Sequence, residues 1–173
     1  LPGVVYEEIT YEGYGPGGVA LIVEVLTDNK NRAVSEIRHA FSKNGGNLGA
    51  EGAGAWMFTK KGVITVAKSA AGEDKLTEIG LEAGAEDLSD EGENWEILCD
   101  PKDFEAVTGA LKAAWITPEH AEVTKISSTY TKLEGSQANA MIRLLETLED
   151  LEDTQNVYSN FDMDEDAVAN AGQ

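Results

Sequence analysis

The sequence predicts an α+β protein in which a ferredoxin-like βαββαβ domain is inserted into a discontinuous α+β domain. Three observations point to this. The run Val19–Leu26, VALIVEVL, is almost wholly apolar and β-branched, as a central strand covered on both faces must be. From Gly62 to Ser127 the apolar residues alternate between period two and period three to four, in the order strand, helix, strand, strand, helix, strand. Beyond Ser127 one amphipathic helix and one strand remain, too few for a unit of their own, and they are expected to complete the layer begun at the front.

The elements follow in order. Val4–Tyr11 is rich in Val, Ile and Tyr and predicts a strand. YEGYGPGG, Tyr11–Gly18, separates it from the strand Val19–Leu26. A phosphate-binding loop needs a helix after it and a terminal Lys-Ser/Thr, and a dinucleotide fingerprint needs the helix too. A strand follows here, so the segment is expected to be a stiff strand-to-strand turn. In TDNKNRAVSEIRHAFSKNGG, Asp28 is the expected N-cap, Val34, Ile37 and Phe41 form the inward stripe, and Asn44-Gly45-Gly46 stops the helix. Asn47–Gly54 is an expected connector, and WMF and GVITVA are expected as two strands joined by a turn at Lys60-Lys61-Gly62.

The inserted module is expected to comprise the strand Gly62–Lys68, a helix Glu73–Ala83, a short strand Glu86–Asp90, a turn Glu91-Gly92-Glu93 and the strand NWEILC. A helix capped by Asp100 and carrying Phe104, Val107, Leu111 and Ala114 follows, then a strand Glu122–Ser127. After it, Ser136 is the expected cap of a helix with Met141, Leu144, Leu145, Leu148 and Leu151 inward, and NVYSNF is the last strand. The domain limits expected are 1–60 with 129–165 for the discontinuous domain, 61–128 for the inserted one, and 166–173 for an acidic flexible tail.

Charge is distributed unevenly. The net charge is −19, yet up to Lys68 seven basic residues balance seven acidic ones, and the remaining six basic and twenty-five acidic residues supply the whole excess. Between Asn29 and Lys68 the balance is positive, seven basic residues against Glu36 and Glu51. An anionic body repels nucleic acid at long range, while a local cationic stretch meets phosphate at contact distance. The chain alone is therefore expected to bind naked duplex DNA weakly. No stretch approaches the ~18 uninterrupted apolar residues of a membrane helix. The start, Leu1-Pro2-Gly3-Val4, lacks the pattern of a signal peptide, and the natural N-terminus is expected upstream. The single Cys99 fits a reducing, cytoplasmic setting.

Catalysis is not expected. His39 and His120 have no second ligand at metal spacing, and Cys99, on a strand face with Trp95 and Ile97, reads as a buried inert thiol. No cofactor or metal is implied. The suggestive polar set is Asp28, Asn29, Lys30, Asn31, Arg32, Arg38, His39 and Lys43. Arg32, Ser35 and His39 share a helical stripe, so this helix is a candidate phosphate contact. Tyr11 and Tyr14 beside the glycine turn are candidates for stacking on a base or a partner.

YEGYGPGG, TDNKNR, EIRHAFSKNGGNLG and LEAGAED together resemble the YebC family, which includes bacterial YebC and PmpR proteins and the mitochondrial translational activator of cytochrome c oxidase subunit I; the likeness runs from about Tyr6 to Phe161. Gly52-Ala53-Gly54-Ala55 departs from the family's usual Gly-Ser-Val before the aromatic strand. The resemblance implies three domains, with a Lys-rich N-terminal helical domain not present in this chain, and the discontinuous organisation above. It implies control of gene expression without catalysis, either as a DNA-binding transcriptional regulator or as a ribosome-associated, RNA-binding translation factor. It also implies that Tyr14, Gly15, Pro16, Asn29, Asn31, Arg32, Arg38, His39 and Lys43 face RNA, DNA or the ribosome. The competing expectation is a small-ligand-sensing regulatory module, with a pocket of converging polar groups.

Overall fold

The computed structural model describes residues 3–50 and 57–162. The tail expected at 166–173, the second half of the connector (51–54) and Trp56 lie outside the described residues. The chain divides into two compact units, Leu1–Phe58 with Ser127–Gln173, and Thr59–Ile126.

The first unit is built on a four-stranded antiparallel sheet in the order β3-β1-β2-β8. Its strands are β1 (Glu7–Tyr14), β2 (Ala20–Thr27), β3 (Asn47–Leu48) and β8 (Thr154–Ser159). β1 and β2 pair from Glu7↔Thr27 to Tyr14↔Ala20, and β8 lies on the other side of β2, from Leu21↔Ser159 to Val25↔Thr154, with an irregularity at Glu24/Val25. The continuous apolar run of β2 is explained by this central place: Ala20–Val23 and Val25 are all buried. Leu21, Val23 and Val25 turn one face toward α1 (Lys30–Lys43) and α4 (Gly135–Asp150), meeting Ile37, Phe41, Met141, Leu144 and Leu148. Each of these fully buried side chains contributes roughly 1.5–3 kcal/mol of transfer free energy.

Several local expectations are corrected. β1 starts at Glu7, not Val4, and runs through Tyr14 into the glycine segment. Within that segment only Pro16–Gly18 forms the turn, with Gly17 and Gly18 at φ +69° and +82°. Asn29, not Asp28, caps α1: its side chain accepts the Arg32 N–H at 3.0 Å, because the Asp28 carboxylate is committed to the Arg32 guanidinium instead. Ala33 and Ala40 share the buried stripe with Ile37 and Phe41, while Val34 is only half-buried. α1 ends with Gly45 at φ +80° and the Gly46 N–H donating to the Phe41 carbonyl at 2.8 Å, the C-terminal motif that glycine permits. α4 begins one residue before Ser136, with Glu134 in the capping position and no side-chain cap.

The second unit has the element order β4 (Phe58–Ala67), α2 (Glu73–Ala83), β5 (Ala85–Glu91), β6 (Asn94–Cys99), α3 (Phe104–Ala113) and β7 (His120–Ser127). The sheet order is β5-β6-β4-β7, and β6 pairs antiparallel with both β4 and β5. Alternation places Ile64, Val66, Ile97 and Cys99 on the helix-covered face against Leu76, Val107 and Leu111. The turn expected at Lys60-Lys61-Gly62 does not form: β4 runs straight through it. Gly62 is needed there for space, because a Cβ would stand 2.7 Å from the Cys99 sulfur and 2.8 Å from the Phe104 ring. Asp100 caps a short 3₁₀ turn, Pro101–Asp103, ahead of α3.

Candidate functional site

In the first unit the N-terminal end of α1 and the chain just after α4 are tied together. Arg32 Nη2 lies 3.0 Å from Asp28 Oδ1 and 3.0 Å from Asp153 Oδ2. The buried Thr27 hydroxyl donates to Asp153 Oδ2 at 2.8 Å and accepts the Asn29 N–H at 3.0 Å. Burial pushes the Asp153 carboxyl up, but the hydrogen bonds from Arg32 and Thr27 and the guanidinium charge outweigh it and hold the carboxyl below its usual range. Such a carboxylate stabilises the fold fully above the ordinary carboxylate pKa and loses that contribution as pH falls through the depressed value. Asp153→Ala is therefore expected to cost about 1 kcal/mol at neutral pH, since it removes the shorter acceptor of the buried Thr27 hydroxyl, leaving the Asn29 carbonyl at 3.2 Å, and one partner of Arg32. Its stability should also fall less steeply than the wild type's on acidification below the ordinary carboxylate range, measurable by urea titration across that range.

The opposite end of the same helix pair is a cleft of about 480 Å³. Three segments form it: the turn at Pro16-Gly17, the end of α1 at Lys43-Asn44-Gly45, and the first turns of α4 at Ser136, Gln137, Ala140 and Arg143. The spacing of Ser136, Ala140 and Arg143, at i, i+4 and i+7, puts them on one helical stripe. Lys43 stands one turn beyond His39, and both are exposed. No carboxylate lines the cleft, and neither Lys43 nor Arg143 has an ion-pair partner among the described residues. The first turn of α4 has no acidic residue and no side-chain cap, so its amide donors point to the same side as its positive dipole end.

The sequence-derived candidates separate into distinct groups. Lys43 and Pro16 line the cleft. Lys30, Asn31, Arg38 and His39 are exposed on α1. Asn29 is spent on the cap and Arg32 on two carboxylates, so Arg32 is a structural tie more than an open cation. Gly15 is buried, its Cα hydrogens facing Met141, Leu144 and Leu21, and it supports the turn from within. Tyr14 is half-buried, and Tyr11 packs on the core with its hydroxyl buried and unbonded, so Tyr11 does not present a stacking face. Of the other cations in the positive stretch, Lys61 pairs with Glu86 at 2.7 Å, and Lys68 pairs with Asp90 at 2.5 Å and covers Trp95. Sequence reading missed Arg143, Ser136 and Gln137. The available signal was that Arg143 is the lone basic residue in a helix that turns acidic at Glu146.

Elsewhere, burial raises the Cys99 thiol above its ordinary range, and nearby carboxylates reinforce the shift, which disfavours a thiolate. Among the described residues no cluster of three or more His, Cys, Asp or Glu is placed to hold a metal ion, and no helix is long and apolar enough to cross a membrane.

The described residues define a mixed α+β protein of two antiparallel sheets and four helices with a cation-lined cleft at one helix junction. Residues 6–161 match the family model described as the second and third domain of TACO1/YebC, and the chain belongs to that family. A probable transcriptional regulatory protein of Acidobacterium capsulatum is 68% identical over 165 residues, covering 95% of this chain and 67% of the relative. Another so named, from Koribacter versatilis, is 64% identical, covering 95% and 66% respectively. The chain thus spans about two thirds of the length of these curated relatives. The crystal structure of a conserved hypothetical protein, Aq1575, from Aquifex aeolicus matches with a TM-score of 0.76 at 40% identity, covering 95% of this chain and 68% of that one.

Proposed function

We propose that this chain is the non-catalytic body of a cytoplasmic YebC-type regulator of gene expression, and that it touches the phosphate backbone of nucleic acid through the cleft between α1 and α4. The observation that carries the reading is that Lys43 and Arg143 line one cleft with no carboxylate among its described lining, at an uncapped helix start. Lys, Arg and amide donors converging on one opening suit a phosphodiester oxygen, and the contact is sequence-independent. His39, one turn before Lys43, continues its exposed stripe on α1, while Arg38 and Lys30 are exposed on other parts of the helix surface. The −19 net charge keeps this contact weak on its own, so tight binding to DNA, RNA or a ribosome requires further cationic surface in the longer protein. The names of the relatives support a regulatory role. The second unit's element order and its β5-β6-β4-β7 sheet support a ferredoxin-like module, inserted at 61–128 between the two parts of a domain spanning 1–60 and 129–165.

The test is the double charge reversal Lys43→Glu with Arg143→Glu in the full-length protein, assayed by ribosome co-sedimentation and by retention of single-stranded RNA and promoter DNA. Association with one of these is expected to fall about tenfold or more, with a shallower salt dependence and an unchanged melting temperature. The polymer affected tells a transcriptional from a translational role. Unchanged association with all three would remove the cleft from the binding surface.

A further inference from the structure

The second unit carries an outlier that packing does not explain. Trp115 follows the end of α3 with φ +63°, in the left-handed region that usually falls to glycine where a helix ends in it. Its backbone is held there by Trp115 N–H to the Lys112 carbonyl at 3.0 Å and Ile116 N–H to the Leu111 carbonyl at 2.9 Å. Ile116, 4% exposed, anchors the motif in the core, while the Trp115 side chain is 95% exposed. A bulky residue thus accepts an unfavourable backbone conformation without gaining burial.

The indole stands at the rim of an apolar groove of about 1060 Å³, walled by the last two turns of α3 at Thr108 and Lys112 and by the segment Thr117–Ala121. We propose that this groove is a docking site for a cationic polypeptide segment bearing a bulky apolar anchor, with Trp115 closing over the anchor. An exposed Trp beside an apolar depression is the composition of an interface centre. Charge selects the occupant. The second unit, 59–126, has seven basic and fifteen acidic residues, a balance of −8. Glu119 lines the groove, and Glu122 stands beside it, 3.1 Å from His120 Nε2; Lys112 is the one lysine of the lining. A second copy of this chain or a nucleic acid brings further negative charge, whereas a basic segment gains from the field. This site is separate from the phosphate cleft and does not depend on it.

The test uses the 173-residue chain and a fluorescein-labelled amidated peptide, KLKFKLK, with a glutamate-substituted counterpart, ELEFELE, and a uridine 20-mer as alternative probes, followed by anisotropy at physiological salt. The basic peptide is expected to bind saturably and the acidic one not at all. Trp115→Gly should weaken binding about tenfold or more, and Glu119→Lys several-fold. Because glycine relieves the left-handed strain, Trp115→Gly should melt no lower than wild type, and about 2 °C higher if the relief exceeds the chain-entropy loss. That outcome separates lost binding from lost folding. Absence of saturable binding, equal binding by wild type and Trp115→Gly, equal binding of the acidic peptide, or Trp115-dependent binding of the uridine oligomer in place of the peptide would each overturn the proposal.

Discussion

Gly46→Ala is expected to destabilise the first unit by about 3 kcal/mol. A Cβ at position 46 would overlap the Tyr14 carbonyl oxygen and press on the Gly15 Cα and the Phe41 ring, at 3.1 and 3.2 Å. Two of the three obstacles are backbone, and neither can turn aside. Tyr14 is held by its pairing with Ala20 and Asn47, and Phe41 is fully buried among Leu21, Ile37 and the α4 stripe. The Gly46 N–H also closes α1 by donating to the Phe41 carbonyl, so a shift that relieved the clash would loosen the helix end. Gly15→Ala is a calibrating comparison. Its new methyl meets the Met141 sulfur at 2.7 Å, but Met141 is a flexible side chain and can be displaced, so a smaller loss is expected. Urea or thermal unfolding of both variants checks the order. A Gly46→Ala protein as stable as Gly15→Ala would show that β1 and the α1 end approach each other less closely than described. Because Lys43 and Pro16 reach the cleft from these same segments, Gly46→Ala should also weaken the phosphate contact proposed for it, through geometry and without removing a charge.

What the sequence made legible follows from how local each determinant is. β2 could be read because eight consecutive residues share one environment, and α4 because its apolar residues recur at helical spacing on a single face. The cap of α1 was displaced by one residue because Asp28 and Asn29 can both cap, and the choice lies with Arg32, which draws Asp28 away. The candidate site was half legible. The cations of α1 lie close together in sequence and read as a set, but Arg32 is paired with Asp153, 121 positions away, and sequence proximity carries no information about that partner. Conversely, Arg143 meets Lys43 across a hundred residues, and only the antiparallel placement of α1 and α4 brings them to one opening. Gly15 enters the candidate set through the family resemblance, which carries motif positions and no information about burial. Gly15 is tucked under Met141 and Leu144, which is visible only once α4 is in place.

Gly62→Ala is the corresponding prediction for the second unit, and it discriminates between the turn expected at Lys60-Lys61-Gly62 and the continuous strand that forms. In an exposed turn with ordinary backbone angles, alanine would be nearly neutral or slightly stabilising. In β4, Gly62 pairs with Cys99 of β6, and the added methyl would sit 2.7 Å from the Cys99 sulfur and 2.8 Å from the Phe104 ring. Cys99 is 0% exposed and closed in by Ile64, Ile97 and the α3 stripe, so its sulfur has no free rotamer to retreat into. The expected cost is about 2–3 kcal/mol. Cys99→Ala opens space at the same point; alone it should cost about 1 kcal/mol for the lost sulfur contacts. Combined with Gly62→Ala it should recover about 1 kcal/mol relative to additivity, since the two changes share one volume. Gly109→Ala supplies the opposite sign: the position is an exposed helical glycine in α3 with nothing within 4 Å of a new Cβ, so a gain of about 0.5–1 kcal/mol is expected. Hydrogen exchange at the β4 and β6 amides reads the second unit by itself. If Gly62→Ala left those amides as protected as in wild type, and showed no coupling to Cys99→Ala, the close packing of β4, β6 and α3 at this point would be refuted.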